Sequence, residues 1–542
     1  MIIPPIPEIP EEEQTPTVKV LLLLINQLSH IAHELSHKVH NQAIEIEKLK
    51  REIAKLKGQK GKPKIRPSKK DKDSKGKAAK DSGGNKQRPQ GPNLEKRRSE
   101  DRILQPKYIP EGSRFKGYQD FSVEDIIIEA VEIRFRMAVY ITPDGKIIRG
   151  QLPPEFQNNN HFSPTLRAFI LQQYHHCQVT QPLLLSQLHD IGSKISAGEL
   201  NNILIEDVSS FHKEKQELLK AGITHSEYIH TDDTGARHDG KNGVCTVVGS
   251  PLFTYFESTS SKSRINFLEV LKGSHTDYRL TEEALNYAFE RGLNDDVQTK
   301  LEGFEGRVFR TKKSWECFLK KHDIKAVKSV RIATESALLG SLISHGFPSD
   351  MHILSDAAPQ FCLLYNALCW VHEERHYCKL TPVSEMERAE IEKVRDEIWD
   401  LYRDIKKFRE SPTARDRYIL EQRFNEVFGK EYLSEALNSL LANTRSRKDG
   451  LLRALAYPAV PLDNNGAERD IREYVKRRKI SGSTRSESGR KARDTFASLK
   501  KTCGKLKIRF WDYLLDRLTG GLKVEHLGDL IAKRSREGPF PV

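Results

Sequence analysis

Apolar positions recur every three and four residues from Val18 onward. Val18, Ile25, Ala32, Val39, Ile46 and Ile53 occupy position a of a heptad, and Leu21, Leu28, Leu35, Gln42, Leu49 and Leu56 occupy d. β-branched residues at a with Leu at d favour a parallel two-stranded coil. Glu45 and Glu52 fall at g, with Lys50 and Lys57 five residues later at e, where they pair across such a dimer. The pattern predicts a leucine-zipper coiled coil over 17–57. One amphipathic helix packed on its own chain is the alternative, and Leu22, Leu23 and Leu24 widen the stripe enough to allow a higher oligomer. Residues 1–16, rich in Pro and Glu, read as a disordered tail.

The periodicity then changes. Residues 101–158 alternate apolar and polar positions through Ile126-Ile127-Ile128, Val131 to Phe135 and Val139-Tyr140-Ile141, with a turn at Pro143-Asp144-Gly145-Lys146. A small β domain is expected there. Residues 159–225 read as helical. Pro182 to Leu188 leads to Gly192, and Ser196-Ala197-Gly198-Glu199 has the capping-box pattern that opens a second helix. This fits a helix-turn-helix DNA-binding segment and equally any helical hairpin.

From Tyr228 the chain predicts three strands, Tyr228 to Gly235, Gly243 to Val248 and Leu252 to Phe256, and a helix from Ser263. Three antiparallel strands followed by a helix is how an RNase H-like domain begins. Residues 275–350 look like an insertion of mixed helix and strand. Met351 to Asp356 is a short apolar strand ending in an acid. A helix carrying Phe361, Leu364 and Leu368 is expected next, leading to Cys369-Trp370-Val371-His372. A charged helical stretch from about 385 to 428 precedes Asp463-Asn464-Asn465-Gly466-Ala467-Glu468-Arg469, where a basic helix starts. Residues 511–542 read as a C-terminal tail.

Length and charge sharpen this picture. At 542 residues and 62.1 kDa, one small domain is excluded. The formal charge of +14 is unevenly spread. Residues 57–98 hold 16 Lys or Arg against four acids, and residues 469–509 hold 15 against four, leaving the rest of the chain at −9. Residues 58–100 are too polar to fold alone and predict a disordered basic linker, which can also neutralise phosphates without reading sequence. Seven scattered cysteines suit reduced thiols in a cytosol. Val20 to Ile25 is too short to span a membrane, so neither a signal peptide nor an anchor is expected.

Asp232-Asp233-Thr234, Ser355-Asp356 with the downstream Cys369-Trp370-x-His372, and above all Asp463-Asn464-Asn465-x-x-Glu468-Arg469 resemble the insertion sequence 66 family of bacterial transposases. The resemblance covers about residues 18–515, and the order of segments agrees with it. It implies an α/β, RNase H-like catalytic domain over 226–510, a mixed sheet flanked by helices, of the DDE (Asp-Asp-Glu) type. The N-terminal coiled-coil helix, small β unit and helical segment would precede it. It implies Asp232, Asp356 and Glu468 as the catalytic and metal-binding acids, with Mg²⁺ or Mn²⁺ as cofactor. It also implies a contact from His372 to the phosphate or leaving group. The expected activity is metal-dependent cleavage and strand transfer of element ends. The expected partners are double-stranded DNA, a second copy through the coil and accessory proteins of the same element, in a bacterial cytoplasm at the nucleoid. A nuclease of the same fold and an inactive DNA-binding descendant are the rivals.

The chemistry independently suits three acids. Two divalent ions about 3.5–4 Å apart can activate a water or 3′-hydroxyl and stabilise the leaving oxygen, and hard ions take carboxylate oxygens. Each acid also has a structural reading. Asp232 and Asp233 could form an Asx-turn, Asp356 could cap a helix, and Asn465-x-x-Glu468 has a capping-box outline. Adjacent strand residues face opposite sides, so one of Asp232 and Asp233 points into the site, and the family motif favours Asp232. The basic helix offers Arg469, Arg472, Lys476, Arg477, Arg478, Lys479, Arg485, Arg490 and Lys491 as contacts to the DNA backbone, or as a solvated face. No cysteine lies between 58 and 176, so the zinc module of many family members is not expected. Cys362, Cys369, His372, His376 and Cys378 are potential soft ligands, but they share one predicted helix and Cys is a common core residue.

Overall fold

The computed structural model describes residues 103–106, 108–119, 126–156 and 161–537 apart from 522, with scattered positions between 15 and 31. The expected zipper and basic linker therefore lie outside the described residues, except for isolated helical positions such as Leu21 and Leu28. Residues 1–128 and 129–542 form separate units. Between 103 and 128 the described residues form no helix or strand.

In the second unit, the alternating pattern yields only a hairpin, β1 (Val139–Ile141) and β2 (Ile147–Arg149), with Tyr140 opposite Ile148. Val131 and Ile133 are exposed and unpaired in any strand. Alternation makes a strand only where a neighbour completes the ladder, and here three residues on each side of the turn do so.

The helical segment is present. It contains α1 (Pro164–Leu171), α2 (Gln181–Asp190), α3 (Ala197–Asn201) and α4 (Ser209–Thr224). The capping box forms as its sequence predicts: the Glu199 amide donates to Ser196 Oγ at 3.2 Å, and the Ser196 amide to the Glu199 carboxylate at 3.0 Å. These helices are not a separate module, however. Leu184, Leu200 and Phe211 share one core with Val248 and Tyr255 of the main sheet and with Leu514 and Ile531 near the C-terminus. The expected tail is likewise structured. The helices Phe510–Thr519 and Leu527–Arg536 bury Tyr513, Leu514, Leu527 and Ile531. Arg517 pairs with the buried Glu214 of α4 at 2.9 Å. Apolar spacing of three and four residues in both segments explains why they pack.

The central sheet has five strands: β3 (Tyr228–His238), β4 (Lys241–Gly249), β5 (Thr254–Thr259), β8 (His352–Ser355) and β9 (Tyr365–Leu368), in the order β5-β4-β3-β8-β9. The first three are antiparallel; β8 runs parallel to β3, and β9 parallel to β8. The helix expected around Phe361, Leu364 and Leu368 is instead a single 3-10 turn, Pro359–Phe361, followed by β9. Three residues at helical spacing cannot outweigh a four-residue strand that completes the sheet.

After β5 comes α5 (Arg264–Lys272), capped by Ser263. The expected insertion follows, with the two-residue strands β6 (Tyr278–Arg279) and β7 (Val308–Phe309) and four helices: α6 (Glu282–Glu290), α7 (Asp295–Glu302), α8 (Lys312–Lys321) and α9 (Val327–Ser344). Beyond β9, α10 (Trp370–Tyr377) leads into α11 (Glu385–Phe408), α12 (Ala414–Phe428) and α13 (Glu435–Ser446). These pack their own core around Trp370, Val394, Leu401, Phe424 and Leu441. The chain returns to the sheet with α14 (Asn465–Ser481) and α15 (Glu487–Lys505).

α15 covers the free edge of β5 with hydrogen bonds as well as apolar contact. The amides of Ser258, Phe256 and Thr254 donate to Asp494 Oδ2 at 2.8 Å, Ser498 Oγ at 2.8 Å and Thr502 Oγ1 at 3.1 Å. Acceptors every four residues on a helix match donors every two residues on a strand. The edge is thereby closed to further pairing. Among the described residues no helix is long and apolar enough to cross a membrane.

Candidate active site

Three elements deliver three acids. Asp232 lies in β3, opposite Val247 of β4. The parallel register pairs His230 with Leu354. Continued by two residues, it sets Asp232 level with Asp356, just past the end of β8. Glu468 stands in the first turn of α14. That helix is held on the sheet by Ala467, Ile471 and Tyr474, which pack on Cys245, Val247 and Phe256.

The structural readings of these acids are met only in part. Asp356 Oδ1 does accept the Ala358 amide at 3.1 Å, a local turn that leaves its other oxygen available. Asp232 accepts the Asp233 amide at 2.7 Å. The capping box at Asn465 does not form: the helix begins one residue earlier, after Asn464, with no side-chain cap. Glu468 instead lies 3.6 Å from His372 Nε2 and faces the guanidinium groups of Arg375 at 3.7 Å and Arg472 at 3.6 Å. The Asp233 carboxylate is engaged by Lys262 and by the Gln360 amide at 2.8 Å. That engagement leaves Asp232 as the member of the pair without a cation of its own.

The electrostatics bind the group together. Burial pushes the Asp232 carboxyl up to about 7, the Asp233 amide partly offsets this, and the charges of Asp356, Asp233 and Glu468 add to it. Burial also lowers the pKa of His372, reinforced by Arg375. Asp232, Asp356 and Glu468 act on one another electrostatically and offer only oxygen donors, although their ligand atoms do not all lie within 4.8 Å of one another. That donor set suits a hard divalent cation.

Residues not singled out from the sequence hold this arrangement. Asn464, 1% exposed, donates through Nδ2 to the Thr231 carbonyl at 2.8 Å, and its amide donates to Cys369 Sγ at 3.3 Å. Its own carbonyl accepts the Glu468 amide at 3.1 Å. One turn further along α14, the buried Asp470 lies 3.4 Å from His230 Nε2, 2.8 Å from Thr254 Oγ1 and 2.5 Å from Lys505 Nζ. Despite burial, Lys505 and the His230 hydrogen bond hold the Asp470 carboxyl well below the usual range. α14 is thus fixed to β3 on both sides of Glu468. The sequence signal was the position of Asn464 and Asp470, four residues before Glu468 and two after it, on a helix that had to reach the sheet.

The basic helix divides into two sets. Arg469, Arg472, Lys476 and Lys479 are exposed and recur at spacings of three and four, forming one stripe beside Glu468. Arg485 and Lys491 are exposed beyond it. Arg477 is a correction to the expected DNA contacts. It is buried, with its guanidinium 4.1 Å from the Tyr174 ring centre and Nη1 donating to the Tyr174 carbonyl at 2.9 Å. Arg478 is likewise used internally, donating to the Gly235 carbonyl and to Thr234 Oγ1. Arg490 pairs with Glu487.

The soft-ligand cluster does not share one helix. Cys362 precedes β9, Cys369 flanks α10, and Cys378 follows it. Among the described residues, the group with ligand atoms all within 4.8 Å of one another is His275, Asp277 and His345. Its geometry suits a structural network. The two rings stack at 3.6 Å and 11°, and the Asp277 oxygens are held by Arg279 at 2.6 Å, Ser341 at 3.0 Å and His345 at 2.9 Å.

A family model described as Transposase IS66 family matches residues 357–492, from the residue after Asp356 through Glu468 and the cationic stripe into α15. An uncharacterised protein, y4jO of Sinorhizobium fredii (strain NBRC 101917 / NGR234), is 40% identical over 321 residues, which is 59% of this chain and 100% of that relative. With the matched segment running through Glu468 and its stripe, this chain belongs to the transposase IS66 family.

Proposed function

We propose that the protein is a DDE-type DNA transposase that cuts and joins the ends of a mobile element. The observation that carries this reading is that the charges of Asp356, just past a strand end, and Glu468, at a helix start, both act on the buried carboxyl of Asp232 in mid-strand. The strand order, with a parallel pair joined to an antiparallel meander, supports an RNase H-like assignment for the sheet.

Asp232, Asp356 and Glu468 would hold Mg²⁺ or Mn²⁺, which when bound supplies an activated water or 3′-hydroxyl and a stabilised leaving oxygen. The chain's own residues do the positioning. Asn464 and the His230–Asp470–Lys505 cluster fix α14 against β3, which sets where Glu468 stands relative to the two aspartates. His372 and Arg375 lie beside Glu468, where a scissile phosphate or its leaving group would sit. Arg469, Arg472, Lys476 and Lys479 track the backbone leading into the site; such contacts set register and carry no sequence information. No covalent protein intermediate is required. The N-terminal heptads would supply a dimer, placing two sites on two element ends.

The test uses labelled element ends with Mg²⁺ and compares wild type with Asp232→Asn, Asp356→Asn and Glu468→Gln. Nicked and joined products from wild type, lost in all three variants, support the reading. Cleavage without joining would identify a nuclease. Binding without cleavage would identify an inactive descendant.

A further inference from the structure

The insertion between α5 and β8 sorts its charges. Residues 282–305 carry seven acids and two basic residues, whereas residues 307–331 carry nine Lys or Arg and two acids. Solubility alone is served by interspersed signs, so the sorting needs another cause.

The basic half is built on α8. Trp315, Phe318 and Leu319 bury its inner face. Lys312, Lys313, Lys320 and Lys321 stand exposed on the other side, and Arg310 precedes them. None of these five has a carboxylate within 4.0 Å among the described residues, although other surface cations of the same module do, as Lys325 does with Asp323. At the start of α8 the arrangement also runs against the field of the helix, whereas Lys320 and Lys321 in its last turn lie with it. α6 begins with Glu282 and Glu283, and α7 with Asp295 and Asp296, the signs a helix start favours. α8 has no acid in its first turn and carries Lys312 and Lys313 there. The free protein therefore bears a cost at this face that a polyanion lying along it would remove. From Lys312 to Lys320 the helix rises about 12 Å. Over that length one DNA strand presents roughly three or four phosphates, at about 3.4 Å of axis each.

The geometry points to a second DNA-backbone surface on this face, formed by Arg310, Lys312, Lys313, Lys320 and Lys321 and separate from the stripe beside Glu468. It rests on the reading of the protein as one that acts on DNA. It grips phosphates and reads no sequence.

The full chain carrying Asp232→Asn, which removes cleavage, is titrated against a labelled 30-base-pair duplex of random sequence over a range of salt. Lys312→Gln, Lys313→Gln, Lys320→Gln and Lys321→Gln are added together. Lys393→Gln, Lys406→Gln and Lys407→Gln, exposed lysines on α11, serve as the control. The α8 set should weaken binding at least tenfold near 0.1 M salt. It should also flatten the plot of log affinity against log salt by about 3, since each phosphate contact contributes about 0.9. Its melting temperature should stay close to the parent's, because the two lysines that oppose the helix dipole and the two that it favours are removed together. A salt slope equal to the control's overturns the proposal. A parent chain that does not bind duplex at all overturns the DNA reading itself, and this surface with it.

Discussion

The side-chain amide of Asn464 donates to the carbonyl of Thr231 at 2.8 Å, one residue before Asp232. Through its own carbonyl, which receives the Glu468 amide at 3.1 Å, the same residue starts the helix that carries the third acid. Two proposed metal ligands more than 230 residues apart in sequence are thus set by one buried amide.

Asn464→Ala should therefore act on the site as well as on stability. Leaving buried groups unpaired costs about 1–3 kcal/mol. Mn²⁺ affinity should also fall about tenfold. Asn438→Ala is the control, since the Asn438 side chain bonds the Tyr432 amide and carbonyl, at 2.9 and 2.8 Å, far from the acids in sequence. It should lower the melting temperature and leave Mn²⁺ affinity alone. Equal Mn²⁺ affinity in both variants would remove the positioning role.

The raised Asp232 carboxyl makes a pH prediction. Its ordinary value of 3.8 moves to about 7 in the folded state, so the folded protein holds this proton more tightly than the unfolded chain. Below about pH 4 both states are protonated and the group is neutral to stability. As pH climbs from 4 to 7, metal-free stability falls by on the order of a few kcal/mol, and the loss is complete above 7. Asp232→Asn should remove this group's share of the slope and leave that of Asp494, whose buried carboxyl is also pushed up to about 7, so the metal-free variant gains stability at pH 8 and is unchanged at pH 4. Chemical denaturation across that range measures it.

Asp470→Ala strands the half-buried Lys505 without its counter-charge and the buried His230 without its hydrogen-bond partner. Removing one partner of a buried pair costs about 3–5 kcal/mol, and the urea midpoint should drop accordingly. Adding Lys505→Met to the same chain should recover part of that loss. A double variant no more stable than Asp470→Ala would mean that Lys505 is not the stranded group.

Gly466 of α14 packs directly against His230 of β3. A Cβ there would lie 2.8 Å from the His230 ring, and that ring is held between α14 and Gly249 of β4. Gly466→Ala should push the helix start outward, costing about 1–3 kcal/mol and weakening Mn²⁺ binding. Gly504→Ala on α15 has open space around the added carbon and should leave both unchanged.

The elements that carry the three acids were legible from the chain. Asp232 lies within an apolar strand, Asp356 follows a short one, and the Asp463 to Arg469 string announces the helix that brings Glu468. Local rules, apolar runs for the strands and the switch to a basic run for the helix, were enough for these elements. The failures are tertiary. β9 carries Leu364 and Leu368 at its borders with helical spacing, and only its place beside β8 makes it a strand. Arg477 reads like its neighbours, and only the arrival of Tyr174 from the helical segment buries it. The Asp494, Ser498 and Thr502 ladder on β5 joins residues more than 230 positions apart, which no local window contains. The helices after residue 510 were missed because amphipathic spacing was outweighed by the expectation that a chain ends loosely.

The central claim is that Asp232, Asp356 and Glu468 form one divalent-cation site. Its most direct test is a Mn²⁺ titration of the full chain followed by electron paramagnetic resonance, with Asp232→Asn, Asp356→Asn and Glu468→Gln alongside. Wild type should deplete the free-ion signal, and each variant should bind at least tenfold more weakly while melting cooperatively. Equal Mn²⁺ uptake by wild type and all three variants would contradict it.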